Sequence, residues 1–107
     1  FLQKVTSNNI LDLTDGKIQY SCFPNDKGGI VDDFLVYRFN AESYLLVVNA
    51  ANIDKDWAWC TAIASKMGMK IGEDLINASD EYCQLAVQGP YAIKAMQKLT
   101  SANITYL

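Results

Sequence analysis

The sequence predicts an α+β domain, with helices packed on a mostly antiparallel sheet. Three observations carry that prediction. Strand-like runs follow one another between residues 17 and 49, joined by short links. A segment from Asn52 to Gly68 then repeats apolar residues at helical spacing. The chain has 107 residues, 50% of them apolar, which suits one buried core rather than two.

The elements follow in order. Residues 1 to 12 read as one or two short helices, broken near Ser7-Asn8-Asn9, and Thr14-Asp15-Gly16 is a turn signal. From Lys17 to Phe23, Ile18, Tyr20 and Cys22 alternate with Lys17, Gln19 and Ser21, as a strand requires. Pro24 to Gly29 is the connecting turn, Ile30 to Phe39 a second strand, and Tyr44 to Asn49 a third. Asn40-Ala41-Glu42-Ser43 links the last two tightly, so the three predict an antiparallel meander. Asn52 is placed to cap a helix, with Asp54 and Asp56 in its first turn. Ile53, Trp57, Cys60, Ala64 and Met67 share one helical face, and Gly68 is placed to end the helix. Trp57 and Trp59 lie two apart, so only one of them faces the core. A short strand is expected within 69–76, a loop over 77–81, and another strand over Tyr82 to Gln88. Gly89-Pro90 opens a last helix, with Ala92, Ala95, Met96 and Leu99 as its apolar stripe.

Composition excludes several classes of function. The net charge is −3 and the nine Lys and Arg are scattered singly, which argues against a nucleic-acid groove. No apolar run approaches the roughly 20 residues that span a bilayer. There is no histidine, so a Ser-His or Cys-His dyad and a His metal site are excluded within these residues. Cys22, Cys60 and Cys83 form no CxxC pair; no metal site is expected, and all three read as reduced core thiols of a cytosol-like compartment. The chain starts at Phe1 rather than Met and ends without a polar tail, so it is expected to be a portion of a longer protein.

The run Gly28-Gly29-Ile30-Val31-Asp32-Asp33-Phe34-Leu35-Val36-Tyr37 sets two acids inside an apolar strand. Ionised carboxylates are costly to bury alone, so each is edge-exposed, paired, or reserved for a ligand. Side chains alternate along a strand, which puts Asp33, Leu35 and Tyr37 on one face and Asp32, Phe34, Val36 and Arg38 on the other. A simple register adds Tyr20, Val47 and Asn49 to the face of Asp33. An acid, an amide and a phenol among apolar neighbours form a seat for a planar, hydrogen-bonding heterocycle. The plainer alternative is that Asp32-Asp33 shapes the start of the strand and Asn49 caps a turn. Gly28-Gly29 reads as a turn, and no nucleotide-loop motif is present.

These residues also carry a resemblance. The Gly28 to Tyr37 run, Leu46-Val47-Val48-Asn49-Ala50, Asp54-Lys55-Asp56 and Leu85-Ala86-Val87-Gln88-Gly89-Pro90 resemble the glycine cleavage system T-protein (aminomethyltransferase) family. Gln3 to Asn9 and Gly16 to Ser21 are similar to its N-terminal segment, so the match runs in register along nearly the whole chain. The resemblance implies that residues 1–107 are part of a folate-binding domain, in proteins about three times as long. It implies transfer of a one-carbon unit from the aminomethyl-lipoyl arm of a partner H-protein to tetrahydrofolate, with release of ammonia. The protein positions and polarises the carrier. The family's functional acid falls on Asp33, ranked above Asp32 because related folate-dependent demethylating enzymes keep an acid at this place while varying the one before it. The family's folate-contacting positions fall on Tyr20, Val47 and Asn49, and Tyr37 is a further expected lining residue. A bacterial enzyme of this kind is expected in the cytoplasm, a eukaryotic one in the mitochondrial matrix. Two relatives with other functions share the pattern. One is a non-enzymatic folate-binding group linked to iron–sulfur protein maturation, which tends to lose the acidic pair. The other is the folate domain of N-methylglycine demethylating oxidases.

Overall fold

Alternation decides how the strands lie. The computed structural model describes residues 1–106 and divides them into two units, Phe1–Asn77 and a second from Ala78 onward. In the first unit, strands β1 (Ile18–Pro24), β2 (Ile30–Arg38) and β3 (Tyr44–Val48) form an antiparallel sheet in the order β1-β2-β3. This is the expected meander. Around it lie helix α1 (Leu2–Val5), a 3-10 turn at Ile10–Asp12, a second at Ala50–Asn52, and helix α2 (Ile53–Lys66).

Short links hold the register. In the β1–β2 turn the Asn25 side chain accepts from the N–H groups of Lys27 and Gly29, both at 2.9 Å. Gly28 takes φ +76°, a conformation that favours glycine. Between β2 and β3, Asn40 Oδ1 accepts from the Glu42 N–H at 2.9 Å, and the Phe39 N–H bonds the Ser43 carbonyl at 2.9 Å. The outer edge of β1 is covered by the chain's own start. The Ser7 N–H bonds the Cys22 carbonyl at 3.0 Å, and Asn8 Nδ2 donates to the Tyr20 carbonyl. That covering uses up strand-edge groups that would otherwise invite another chain.

One face of the sheet carries the core. Phe23, Phe34 and Val36 are buried together with Val5, Ile10, Leu13 and Cys60, and Trp59 and Ile63 of α2 pack against them. The Phe23 and Phe34 rings stack with centroids 3.9 Å apart. In β1 the apolar set lies opposite to the covered side. Ile18 and Tyr20 are exposed, whereas Ser21 and Phe23 are buried. Polar Gln19 and Ser21 are tolerated on the covered side because the N-terminal segment supplies partners. Gln19 Nε2 donates to the Asn9 carbonyl at 3.1 Å, and Ser21 Oγ lies 3.3 Å from Ser7 Oγ.

Helix α2 differs from expectation in its buried face. Asp56, Cys60 and Ala64 are buried, one per turn, and Met67 is exposed. Trp59 rather than Trp57 is the tryptophan packed on the core. The helix ends as the sequence predicts. Gly68 is left-handed (φ +76°), its N–H bonds the Ser65 carbonyl at 3.1 Å, and the Met69 N–H bonds the Ala64 carbonyl at 3.0 Å.

Two expected strands are absent. Residues 69–76 form turns with a single bridge between Ile71 and Leu75, because Gly72 turns the chain back on itself before a ladder can form. Residues 82–88 belong to the second unit, are exposed, and pair with no strand; alternation alone does not make a strand without a hydrogen-bonded neighbour. That unit holds a 3-10 turn at Ser79–Glu81 and helix α3 (Ala92–Met96), shorter than expected, with Leu99 beyond it and exposed. Nor are all three cysteines in the core, since only Cys60 is buried and Cys83 is exposed. Among the described residues no helix is long and apolar enough to cross a membrane.

The two sheet faces should respond differently to truncation. Phe23→Ala should cost about 3–5 kcal/mol, the usual loss for emptying a buried phenyl site, and Ile18→Ala should stay within about 0.5 kcal/mol. Urea unfolding reads both, and equal losses would mean that the two faces are covered alike.

Candidate functional site

Three rows of side chains cross the open face. Tyr20 and Val47 flank Leu35 on the ladder, and Ile18 and Leu45 flank Tyr37. The third row begins with Cys22 beside Asp33. Asn49, just past the end of β3, completes it by donating from Nδ2 to Asp33 Oδ1 at 2.8 Å and to the Asp33 carbonyl at 3.1 Å. Tyr20 reaches diagonally from the neighbouring row, and its hydroxyl donates to Asp33 Oδ2. Both carboxylate oxygens of Asp33 therefore accept from fixed donors.

Those donors set its charge. The hydrogen bond from Tyr20, then that from Asn49, holds Asp33 below the ordinary carboxylate value, against the opposing effect of burial. Tyr20 moves the other way, raised first by its bond to Asp33 and then by the Asp33 charge. An open depression of about 450 Å³ lies here, lined by Tyr20, Cys22, Ile30, Asp32 and Asp33. The Ser7 hydroxyl stands at its rim, 3.1 Å from Cys22 Sγ.

Of the residues expected at the site, Tyr20, Asp33 and Asn49 meet directly. Val47 lies one row away on the same face. Tyr37 shares the face but stands four residues from Asp33 along β2, about 13 Å at the usual strand rise. It belongs to the far end of the sheet and touches none of the three. Parity sets the face of a strand residue and not its height.

Asp32 faces the opposite side, toward α2. Its Oδ1 accepts from Asn49 Nδ2 at 3.1 Å and its Oδ2 from Asn52 Nδ2 at 2.8 Å. Asn52 thus spends its side chain on Asp32, and it makes no side-chain cap on the helix it precedes. Burial works against the charge of Asp32, but the bonds from Asn52, Asp56, the Asp33 backbone and Asn49 prevail and hold it at about 2. Lys55 anchors the same strand by donating from Nζ to the Val31 carbonyl at 2.8 Å.

Asp56 is the residue that sequence reasoning missed. It is 1% exposed in the first turn of α2. Burial, then the hydrogen bond to Asp32 and the Asp32 charge, pushes it up to about 6. Cys60, one turn further on, is pushed up to about 12 by burial and then by Asp56. The available signal was the spacing of Asp56, Cys60 and Ala64, four residues apart on one helical stripe.

The sequence model of the GCVT N-terminal domain matches residues 1–106. An aminomethyltransferase of Bacteroides fragilis is 61% identical over 104 residues, covering 97% of this chain and 27% of that protein. One from Bacteroides thetaiotaomicron is 60% identical over 105 residues, covering 98% and 28%. One from Flavobacterium psychrophilum is 52% identical over 103 residues, covering 96% and 27%. The chain therefore spans little more than a quarter of the length of the curated relatives it matches.

Removing the Tyr20 hydroxyl should relax Asp33. A lowered carboxylate pKa stabilises the fold above the ordinary value of 3.8 and loses that contribution as pH falls through the folded value. In Tyr20→Phe, the Asp33 carboxyl should titrate higher than in the wild type, and the stability lost through this group on acidification should be smaller. Carboxyl carbon NMR and urea unfolding between pH 3 and 7 measure the two effects. An unchanged Asp33 titration would show that the phenol is not its principal donor.

Proposed function

The chain belongs to the GCVT N-terminal domain family, and from that premise we propose that it forms part of the folate-binding domain of a glycine cleavage system aminomethyltransferase. The observation that carries the reading is the state of Asp33. It is an ionised acceptor on an open apolar face, held by Tyr20 and Asn49 and bordered by Leu35 and Val47. A charged acceptor beside a flat apolar wall suits a planar ring with N–H donors, which is the chemistry of a reduced pterin. The aminomethyltransferases of the Bacteroides species are 60–61% identical to this chain over 104–105 residues, which supports the same reading.

Tetrahydrofolate, when bound, supplies the amine that accepts the one-carbon unit. This chain's residues would hold and orient it. Tyr20 and Val47 offer apolar walls to the ring, and Asp33 receives its N–H donors. Asn49 prevents the Asp33 carboxylate from turning away. Because Asp33 is charged and its environment is fixed before the ligand arrives, it is poised to stabilise positive charge on the reacting amine. We assign delivery of the aminomethyl group to a lipoylated H-protein, and the product side to release of ammonia. The remaining contacts with folate and H-protein fall to parts of a longer protein. A reducing, cytoplasmic compartment goes with this reading, as free Cys22, Cys60 and Cys83 would be retained there.

The test uses the full-length protein with aminomethyl-loaded H-protein and tetrahydrofolate. Asp33→Asn keeps the size of the side chain and removes the charge. It should lower turnover about 10²–10⁴-fold, the usual range for a positioned proton-handling group, with the fold retained. Full turnover in this variant would sink the assignment of Asp33. Absence of tetrahydrofolate binding by the wild-type protein would sink the folate reading itself.

A further inference from the structure

Asp56 carries a problem that the proposed site does not solve. Its carboxyl is 1% exposed, and among the described residues no N–H or O–H donor reaches either oxygen. An isolated carboxylate in such a place is strongly disfavoured. Its neighbours on every side are known. On β2, the Asp32 carboxylate lies near enough for a protonated Asp56 to donate to it, and Asp33 lies beyond. On α2, Lys55 precedes it but gives its ammonium to the Val31 carbonyl, and Cys60 follows one turn later. Tyr20 of β1 is engaged with Asp33. The one bond open to Asp56 is to another acid, and two carboxyls bond only if one of them keeps a proton. Asp32 already accepts from two amides, so the proton belongs to Asp56.

We propose that Asp56 is a positioning residue, which holds a proton, donates it to Asp32, and thereby keeps Asp32 as the acceptor that aligns the Asn49 amide. The consequence reaches the open face. Asn49 Nδ2 lies 3.1 Å from Asp32 Oδ1 and 2.8 Å from Asp33 Oδ1, so the amide bridges the two acids through the sheet end. Tyr20 closes the chain on the far side of Asp33. A buried acid on α2 is thus wired to the half-buried Asp33 carboxylate through Asp32 and Asn49. Loss of the Asp56 proton sets two like charges against each other, and Asp32 must move or turn. The Asn49 amide then loses one of the acceptors that fix it, and Asp33 loses a rigid donor. Asp56 titrates at about 6 and Asp32 at about 2, so the bond is complete between these values and is lost as pH rises through about 6.

This inference leans on the folate reading only for its binding arm, and the experiment separates the two. In the full-length labelled protein, the Asn49 side-chain amide resonances are followed from pH 5 to 8. In the wild type they should shift with a single midpoint near 6. In Asp56→Asn, whose amide donates at every pH, that shift should vanish while the resonances stay at the wild-type low-pH position. In Asp56→Ala, which has no donor, they should sit at the high-pH position throughout; if this variant does not fold, Asp56→Asn alone decides. An Asn49 signal that does not move with pH, or that moves equally in Asp56→Asn, overturns the proposal. The binding arm uses tetrahydrofolate as the probe. At pH 8 Asp56→Asn should bind roughly tenfold or more tightly than Asp56→Ala, the scale of one charge-assisted hydrogen bond. Equal affinities overturn the link to the open face. Binding by none of the proteins rejects the folate reading, and the amide resonances then decide on Asp56 by themselves.

Discussion

Two adjacent carboxylates at the start of β2 point to opposite faces of the sheet, because side chains alternate along a strand. Everything near the end of this sheet follows from that constraint. Asp32 is turned toward α2 and must be satisfied in a half-buried place, while Asp33 is turned outward and is available. Asn49 is the one group that serves both acids, and it can do so only because β3 ends where its amide wraps past the strand edge. Asn52 completes the arrangement and forgoes its role as a helix cap. The Asp32 carboxylate is a charged acceptor, and a charge-assisted hydrogen bond is stronger than a neutral capping bond, so the amide goes to Asp32.

The electrostatics are graded across the same few residues. Asp33 and Asp32 are both held ionised by donors, while Asp56 beneath them is held toward its neutral form by burial. Three acids in a small space thus avoid carrying three charges. The outward acid is left as the one whose charge faces solvent and any incoming group. Such separation of neighbouring carboxyl groups into different protonation states is characteristic of sites that handle protons, and here it comes from placement on two sides of one sheet.

The covered and open faces share this work unevenly. The Phe23–Phe34 stack and the Val36 packing against α2 hold β2 in place, which fixes the height of Asp33. The open face leaves Tyr20 exposed and Leu35 and Val47 half-buried. Exposed apolar side chains that a core does not require are available for recognition.

Much of this was legible in the residues. Strand order, the tight turns at Asn25 and Asn40, the glycine stop of α2 and the shared face of Tyr20, Asp33, Val47 and Asn49 are local consequences of alternation and turn chemistry. They act between near neighbours, so the amino-acid sequence by itself determined them. Other matters rested on contacts between distant segments. The start of the chain folds along β1, which buries Ser21 and leaves Ile18 and Tyr20 in the open. Helix α2 rolls to bury Asp56 instead of Met67. Residues 69–76 and 82–88 alternate or run apolar but find no ladder. Tyr37 shares the face of Asp33 at a different height along the strand. Burial, pairing and height along a strand depend on which remote element arrives, and only the tertiary structure decided that.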